Sequence, residues 1–125
     1  MSFLLLSADH IVAIHDDVLE PNELQGMAGD KSLEGALSRV ENRLNCGLIE
    51  DIYSLAATYA VAVSQAHCFN DGNNWTAFQV MDLILDLNGI NVAWDVEEEG
   101  QKIVLLSQSK LDEADLAQWL WRVIV

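Results

Sequence analysis

The sequence His67-Cys68-Phe69-Asn70-Asp71-Gly72-Asn73-Asn74-Trp75-Thr76, near the middle of the chain, decides the predicted fold. An almost wholly apolar segment, 52–66, precedes it, and a second apolar segment, 76–88, follows it. Both segments have the length and composition of buried helices. The polar residues between them therefore form a turn between two helices and lie at the N-terminus of the second.

The side chains of this turn suit the transfer of a phosphoryl or nucleotidyl group. His67 ends a buried helix, and imidazole takes up a proton readily near neutral pH. Asp71 is a candidate ligand for a divalent cation, and Gly72 permits a close backbone approach. The start of the second helix, where free N–H groups and the helix dipole favour phosphate, carries three polar residues: Asn73, Asn74 and Thr76.

The same residues also fit a purely structural turn. Asn-Asp-Gly-Asn, at 70–73, is a favourable turn sequence that leads into a helix N-cap. On this interpretation His67 is a hydrogen-bonded structural residue and Phe69 fills the core. A calcium-binding loop is excluded, because the remaining acidic ligands and the terminal Glu are missing.

The whole composition predicts one domain spanning residues 1–125. Hydrophobic residues make up 51% of the 125 residues, and no repeat or linker divides them. The N-terminus lacks the basic region of a signal peptide, and the longest apolar run is too short to span a membrane. The two cysteines form no CxxC motif, which is typical of reduced thiols. We therefore expect a cytoplasmic protein.

The formal net charge of −14 limits the partners. Binding to nucleic acid or to an anionic membrane requires clusters of Lys and Arg, so neither is expected as a direct partner. The charge favours a basic protein or peptide as partner, or serves only solubility.

Hydrophobic periodicity predicts a mainly α-helical fold of about five to six helices around the buried helix 52–67. The alternation of Ile90, Val92 and Trp94 with polar or small residues predicts a short strand. We expect residues 103–106 to pair with it, with the acidic run 97–100 as the turn of this minor β-hairpin. Asp112 is predicted to cap the last helix, whose C-terminal apolar residues are either deeply buried or part of an interface.

Two other pairs of polar residues were considered as metal sites. His10 and His15 are five residues apart, roughly 140° around a helix axis, so they cannot bind one metal from one face. Asp82 and Asp86 share a helix face, which suits either a cation or plain solvation.

The motif beginning at His67 resembles the signature of the Fic/Doc (Fido) family, His-x-Phe-x-Asp/Glu-Gly/Ala-Asn-Gly/Lys-Arg. Segments 6–19, 26–37, 76–78 and 87–89 are similar to those of Doc-type ("death on curing") toxins. The resemblance implies a helical Fido domain that transfers AMP or phosphate from a nucleotide to a protein hydroxyl. For Doc-type toxins it implies ATP as donor, the translation factor elongation factor Tu as target, and inhibition by a small, partly disordered antitoxin.

Carried over by position, the resemblance implies that His67 is the catalytic base and that Phe69 anchors the motif in the core. It implies that Asp71 binds Mg²⁺, and that Gly72 and Asn73 belong to the anion cradle.

This chain departs from the motif where the family carries cations. Asn74 replaces Lys or Gly, Trp75 replaces Arg, and Phe78 stands at the next Arg position of AMP-transferring members. Gln65 stands where relatives can carry a basic residue. A charge-assisted hydrogen bond contributes ~1.5–3 kcal/mol, so losing two costs ~3–6 kcal/mol, or roughly 10²–10⁴ in binding or rate. Use of Mg²⁺ and ATP is therefore in question, and the alternative is a non-catalytic binding protein on the same scaffold.

Overall fold

The described part of the chain forms six α-helices, with the third enclosed by its neighbours. The computed structural model describes residues 3–23, 26, 33–70 and 72–125. In order, the helices are α1 (Ala8–Val18), α2 (Leu33–Asn45), α3 (Ile52–Ala66), α4 (Asn73–Leu87), α5 (Val96–Ser107) and α6 (Glu113–Ile124). This agrees with the mainly α-helical fold predicted from the sequence.

Helix α3 is the centre of the core. Ten successive residues of α3, 55–64, are buried, so the helix has no solvent-facing side over that length. Helices α2, α4 and α6 pack against it, and small residues such as Ala56 and Ala60 allow them to approach closely. Asp51 caps α3 by accepting a hydrogen bond from the Ser54 backbone N–H at 2.8 Å. The predicted central helix is confirmed.

Helix α4 packs along α3 and carries α1 and α5 on its other sides. It begins at Asn73, three residues before the predicted start at Thr76. The reason is Gly72, which takes the N-cap position in the left-handed region with φ 79°, so that helical geometry begins directly after it.

The predicted β-hairpin is wrong. Residues 91–95 are irregular, and 103–106 lie inside α5. Asp95 caps this helix by accepting hydrogen bonds from the backbone N–H groups of Glu97 and Glu98, at 3.0 and 3.1 Å. The acidic run thus forms a first helical turn, where negative charge interacts favourably with the helix dipole. Ile103 and Leu106 are buried at the i, i+3 spacing of a helix.

Helix α6 ends in an exposed apolar tail. Asp112 caps it as predicted, accepting a hydrogen bond from the Asp115 backbone N–H at 2.8 Å. Trp121 and Val125 are 55% and 73% exposed, so of the two predicted alternatives deep burial is wrong, and an interface stays a prediction. Across the described residues, none of the helices combines the length and the apolar character needed to cross a membrane.

Candidate functional site

His67 lies at the C-terminus of the most deeply buried helix of the protein. It is the C-cap of α3 and adopts left-handed backbone angles, φ 49° and ψ 43°. Its side chain is exposed, whereas the next two residues, Cys68 and Phe69, are 1% and 3% exposed. The sharp turn at His67 therefore presents the imidazole to solvent between two buried segments. A general base that receives a proton from an incoming hydroxyl needs this combination of fixed backbone and open side chain.

Phe69 anchors the turn through a partner that the sequence did not reveal. Its ring stacks on His15 of α1, with ring centroids 3.8 Å apart and planes 6° from parallel. His15 is 1% exposed. It is 54 positions before Phe69, so no local pattern could have paired the two residues. The motif turn is thus held by a tertiary contact as well as by its own chain.

Gly72 is required for its backbone conformation. With a φ of 79°, the position would strain any residue that carries a Cβ. A Cβ there would lie 3.4 Å from Leu19 Cδ1 and 3.5 Å from the Cδ2 and Nε2 atoms of His15, which is ordinary van der Waals contact. The approach of α1 therefore does not itself require glycine.

Asn73 closes the turn with its side-chain amide. Its Nδ2 donates to the Phe69 carbonyl oxygen at 2.9 Å, and its Oδ1 accepts from the Phe69 backbone N–H at 3.1 Å. The two bonds satisfy both backbone groups of a residue buried between helices, where unpaired groups would be costly. The predicted anion cradle can therefore use the backbone N–H of Asn73, while its side chain holds the turn together.

The N-terminus of α4 is open to an anion. Gly72 is its cap and supplies no side chain, and no side-chain hydrogen bond caps the helix among the described residues. The first intrahelical bond runs from the Thr76 N–H to the Gly72 carbonyl at 3.0 Å, so the N–H groups before Thr76 have no partner within the helix. A helix start of this kind attracts phosphate. By contrast, the Thr76 hydroxyl is fully buried and finds no partner in the described part of the chain, so it does not face solvent.

The positions that depart from the motif have other contacts. Asn74 accepts a hydrogen bond from the Ser64 hydroxyl at 2.6 Å, which ties α4 back to α3. Trp75 is 51% exposed. Phe78 is 2% exposed and packs against Trp94 and Trp119. Asn74 and Phe78 make structural contacts, and Trp75 is the most exposed of the three.

The candidate metal ligands are not brought together among the described residues. Asp71, the predicted Mg²⁺ ligand, lies outside them. Within them, no group of three or more His, Cys, Asp or Glu side chains could hold a metal ion. Asp82 accepts a hydrogen bond from the Trp94 indole N–H at 3.0 Å, which accounts for its place on α4 without a cation.

Comparison with known proteins gives the family of the chain. The model of the Fic/DOC family matches residues 5–85, which span α1 to most of α4 and include the whole turn. The chain belongs to the Fic/DOC family. It is 30% identical over 119 residues to the protein kinase doc of Escherichia phage P1, with 94% of each chain covered.

Proposed function

We propose that this protein is a Doc-like toxin that transfers phosphate or AMP from a nucleotide to a hydroxyl group of a host protein. One observation carries the proposal: an exposed His67 on a fixed backbone lies five residues before the helix start at Gly72, which no described side chain caps. His67 supplies a base and the start of α4 supplies an anion site. These are the two functions that such a transfer requires of the protein.

The chemistry divides between these two groups. His67 takes the proton of a Ser, Thr or Tyr hydroxyl, and the oxygen attacks phosphorus while the rest of the nucleotide departs with the bond electrons. The N–H groups at the start of α4 hold the charged phosphoryl oxygens. Mg²⁺ held by Asp71 would lower the negative charge of ATP, the donor that the resemblance implies.

The fit to ATP is incomplete. The open start of α4 suits a phosphate. No Lys or Arg occupies the motif positions 74, 75 or 78, and two of those side chains are committed to structural contacts. The proposed enzyme therefore uses its nucleotide with impaired affinity, or uses a different donor.

The proposed biological setting is a type II toxin–antitoxin pair. Similarity to the phage P1 protein supports a cognate antitoxin, a small and partly disordered protein, as the first partner. The proposed host target is a translation factor, with elongation factor Tu as the first candidate.

A second candidate function is a non-catalytic binding protein on the Fido scaffold. It is favoured by the hydrogen bond between Asn74 and Ser64 and by the buried Phe78, which give motif positions purely structural roles. On this hypothesis the protein acts by contact with its partner, and the half-exposed Trp75 is part of the contact surface.

The two hypotheses are separated by substituting the base and restoring the cations. His67→Asn is the best substitution, because Asn tolerates left-handed backbone angles and lacks the imidazole. Wild type, His67→Asn and the double variant Asn74→Lys/Trp75→Arg are expressed in a bacterial host. Growth is followed, and host proteins are searched by mass spectrometry for phosphate and AMP adducts.

The proposed enzyme predicts adducts with wild type, none with His67→Asn, and an affinity for the nucleotide that is roughly 10²–10⁴ higher in the double variant. Growth arrest without adducts, unchanged in His67→Asn, would reject transfer and support the binding protein. Adducts that appear only with the double variant would identify a scaffold that has lost its chemistry.

A further inference from the structure

A continuous surface groove runs between α1 and α4 and ends at the motif turn. It consists of a cavity of about 210 Å³ and a cavity of about 460 Å³ that share two lining residues, Val18 and Gln79. We call it the acidic groove, and its other lining residues are Ile14, Asp17, Glu20, Asn22, Glu23, Trp75, Asp82, Leu83 and Asp86.

The described lining residues of the groove carry charge of one sign. Five carboxylates line it, and none of its described lining residues is Lys, Arg or His. The negative charge is felt by a neighbouring group as well: burial, and then the charge of Asp82, raise the pKa of Glu99 above its ordinary value. A nucleotide would be repelled from this groove, whereas a cationic group would be attracted into it.

Trp75 adds a second, independent feature. Its ring is 51% exposed, and it lines the larger cavity together with Glu20 and Glu23. An exposed indole beside carboxylates is a favourable site for a guanidinium or ammonium group, because the ring face attracts cations. Trp75 therefore attracts a positively charged group from a partner. Family members carry a positively charged side chain of their own at this motif position.

The place of Trp75 relates the groove to the proposed reaction. It lies in the first turn of α4, three residues after Gly72, or about 4.5 Å along the helix axis. Consecutive residues of an extended peptide are ~3.3 Å apart, so a cationic side chain over Trp75 lies within a few residues of a hydroxyl presented at the turn. The dimensions thus fit one polypeptide segment that occupies both places.

We infer that the acidic groove binds a basic segment of the target protein, with an Arg or Lys side chain on Trp75 and the acceptor hydroxyl at the motif turn. The inference rests on the proposed function for the role of that segment. Binding itself requires neither a nucleotide nor transfer, so it is tested separately.

The binding test uses the full chain and a defined probe. The probe is a nine-residue peptide with one threonine flanked by arginines, and the control peptide has citrulline at each arginine, which keeps the shape and removes the charge. Binding is followed by NMR through the Trp75 indole N–H resonance, assigned by its loss in Trp75→Leu. Three proteins are compared with wild type: Trp75→Leu, the groove variant Asp17→Asn/Glu20→Gln/Asp86→Asn, and the control variant Glu50→Gln/Glu98→Gln/Asp115→Asn.

Each triple variant loses three exposed carboxylates, so the two variants have the same net charge. They differ only in whether the carboxylates are removed from the groove or from elsewhere on the surface. We expect the groove variant to bind the arginine peptide about tenfold more weakly than wild type, with the control variant within about twofold. Trp75→Leu, followed by calorimetry, is also expected to bind more weakly, and the citrulline peptide not to bind wild type measurably. Equal weakening in both triple variants, or equal binding of the two peptides, would overturn the inference.

A second measurement tests the role of the bound segment. His67→Asn is expected to bind the arginine peptide as wild type does, so loss of transfer in that variant leaves the groove result unaffected. In the cell assay, the groove variant is expected to modify host proteins about tenfold more slowly than the control variant. A groove variant that modifies host proteins at the wild-type rate but escapes its antitoxin would assign the groove to the antitoxin and overturn the inference.

Discussion

The motif region 67–78 has two halves, and their side chains make different contacts. The first half is 67–73, the turn before α4, and the second half is 74–78, in the first turns of α4. In the first half, Phe69 and Asn73 hold the turn closed, and His67 is exposed beside it. In the second half, Asn74 is bonded to α3 and Phe78 is buried in the core. The comparison shows that the shape of the motif and its positive charge are separable: the turn closes without any of the cations.

The largest effect is expected from the first half, at Phe69. Phe69→Ala removes a ring that is 3% exposed and stacked on His15, and it leaves a cavity at the junction of α1, α3 and α4. We expect the free energy of unfolding to fall by ~3–5 kcal/mol. Denaturant unfolding followed by circular dichroism measures it. Phe69→Leu is the control and should lose clearly less, and equal losses would show that ring volume at this position is unimportant.

Neighbouring amides give a direct comparison of the two halves. Asn73→Ala leaves both backbone groups of Phe69 without their partner and should destabilise the protein by ~2–3 kcal/mol. Asn74→Ala removes one bond, to the Ser64 hydroxyl, and should cost ~1 kcal/mol. The same unfolding measurement serves for both. If Asn74→Ala proved the more damaging, the proposed division of the turn would be wrong.

The exposed position of the second half should tolerate change. Trp75→Arg replaces a side chain that is 51% exposed and should alter the free energy of unfolding by no more than ~0.5 kcal/mol. An Arg here restores a phosphate-binding cation, so the affinity for magnesium–ATP should rise roughly tenfold or more. Calorimetric titration measures the affinity and thermal unfolding the stability. A large loss of stability would mean that the indole ring supports the fold.

The smallest effect concerns Glu99, near α4. Burial and then the charge of Asp82 raise its pKa, so the folded protein holds this proton to a higher pH than the unfolded chain does. Below the ordinary pKa of a glutamate, the protonated Glu99 contributes its full share to the stability of the fold. As pH rises through the raised pKa, Glu99 ionises in an unfavourable environment and this contribution to stability is lost. Glu99→Gln should therefore be more stable than wild type at neutral pH and nearly equal to it in acid.

Thermal unfolding between pH 3 and pH 7 tests this expectation. Glu98→Gln is the matched control, because the exposed Glu98 lies in the same first turn of α5, where its charge is favourable. A gain in stability toward neutral pH for Glu98→Gln as well would trace the effect to the helix start and not to Asp82.

Local pattern was sufficient for most of the helical fold. The almost wholly apolar composition of 52–66 identified the buried helix, and Asp112 marked a helix start where the structure has it. The hairpin failed for a physical reason. Burial does alternate along 90–95, as the sequence pattern indicated, but an alternating segment becomes a strand only if another strand pairs with it. The apolar run 103–106 is short enough to suit either structure, and Asp95 followed by three glutamates was the signal for helix.

The candidate site could be predicted as a set of residues, but not as a set of contacts. The resemblance to the family motif named His67, Phe69, Gly72 and Asn73 as candidates. The stacking of His15 on Phe69 depends on how α1 packs on α4, which the sequence does not state. The acidic groove likewise combines residues from two helices that are far apart in the chain.

The burial of residues 55–64 of α3 also affects how fast their amide hydrogens exchange with solvent. A helix with ten successive residues enclosed on every side cannot exchange its amide hydrogens by local fluctuation, because exposing it means taking apart the whole core. We expect its amides to exchange with solvent only through global unfolding, and more slowly than those of α5, whose residues 96–98 are all exposed. His67 lies three residues beyond this enclosed stretch, at the exposed end of a helix that the core holds in place. A partner that covers the exposed end could therefore block the site without disturbing the core.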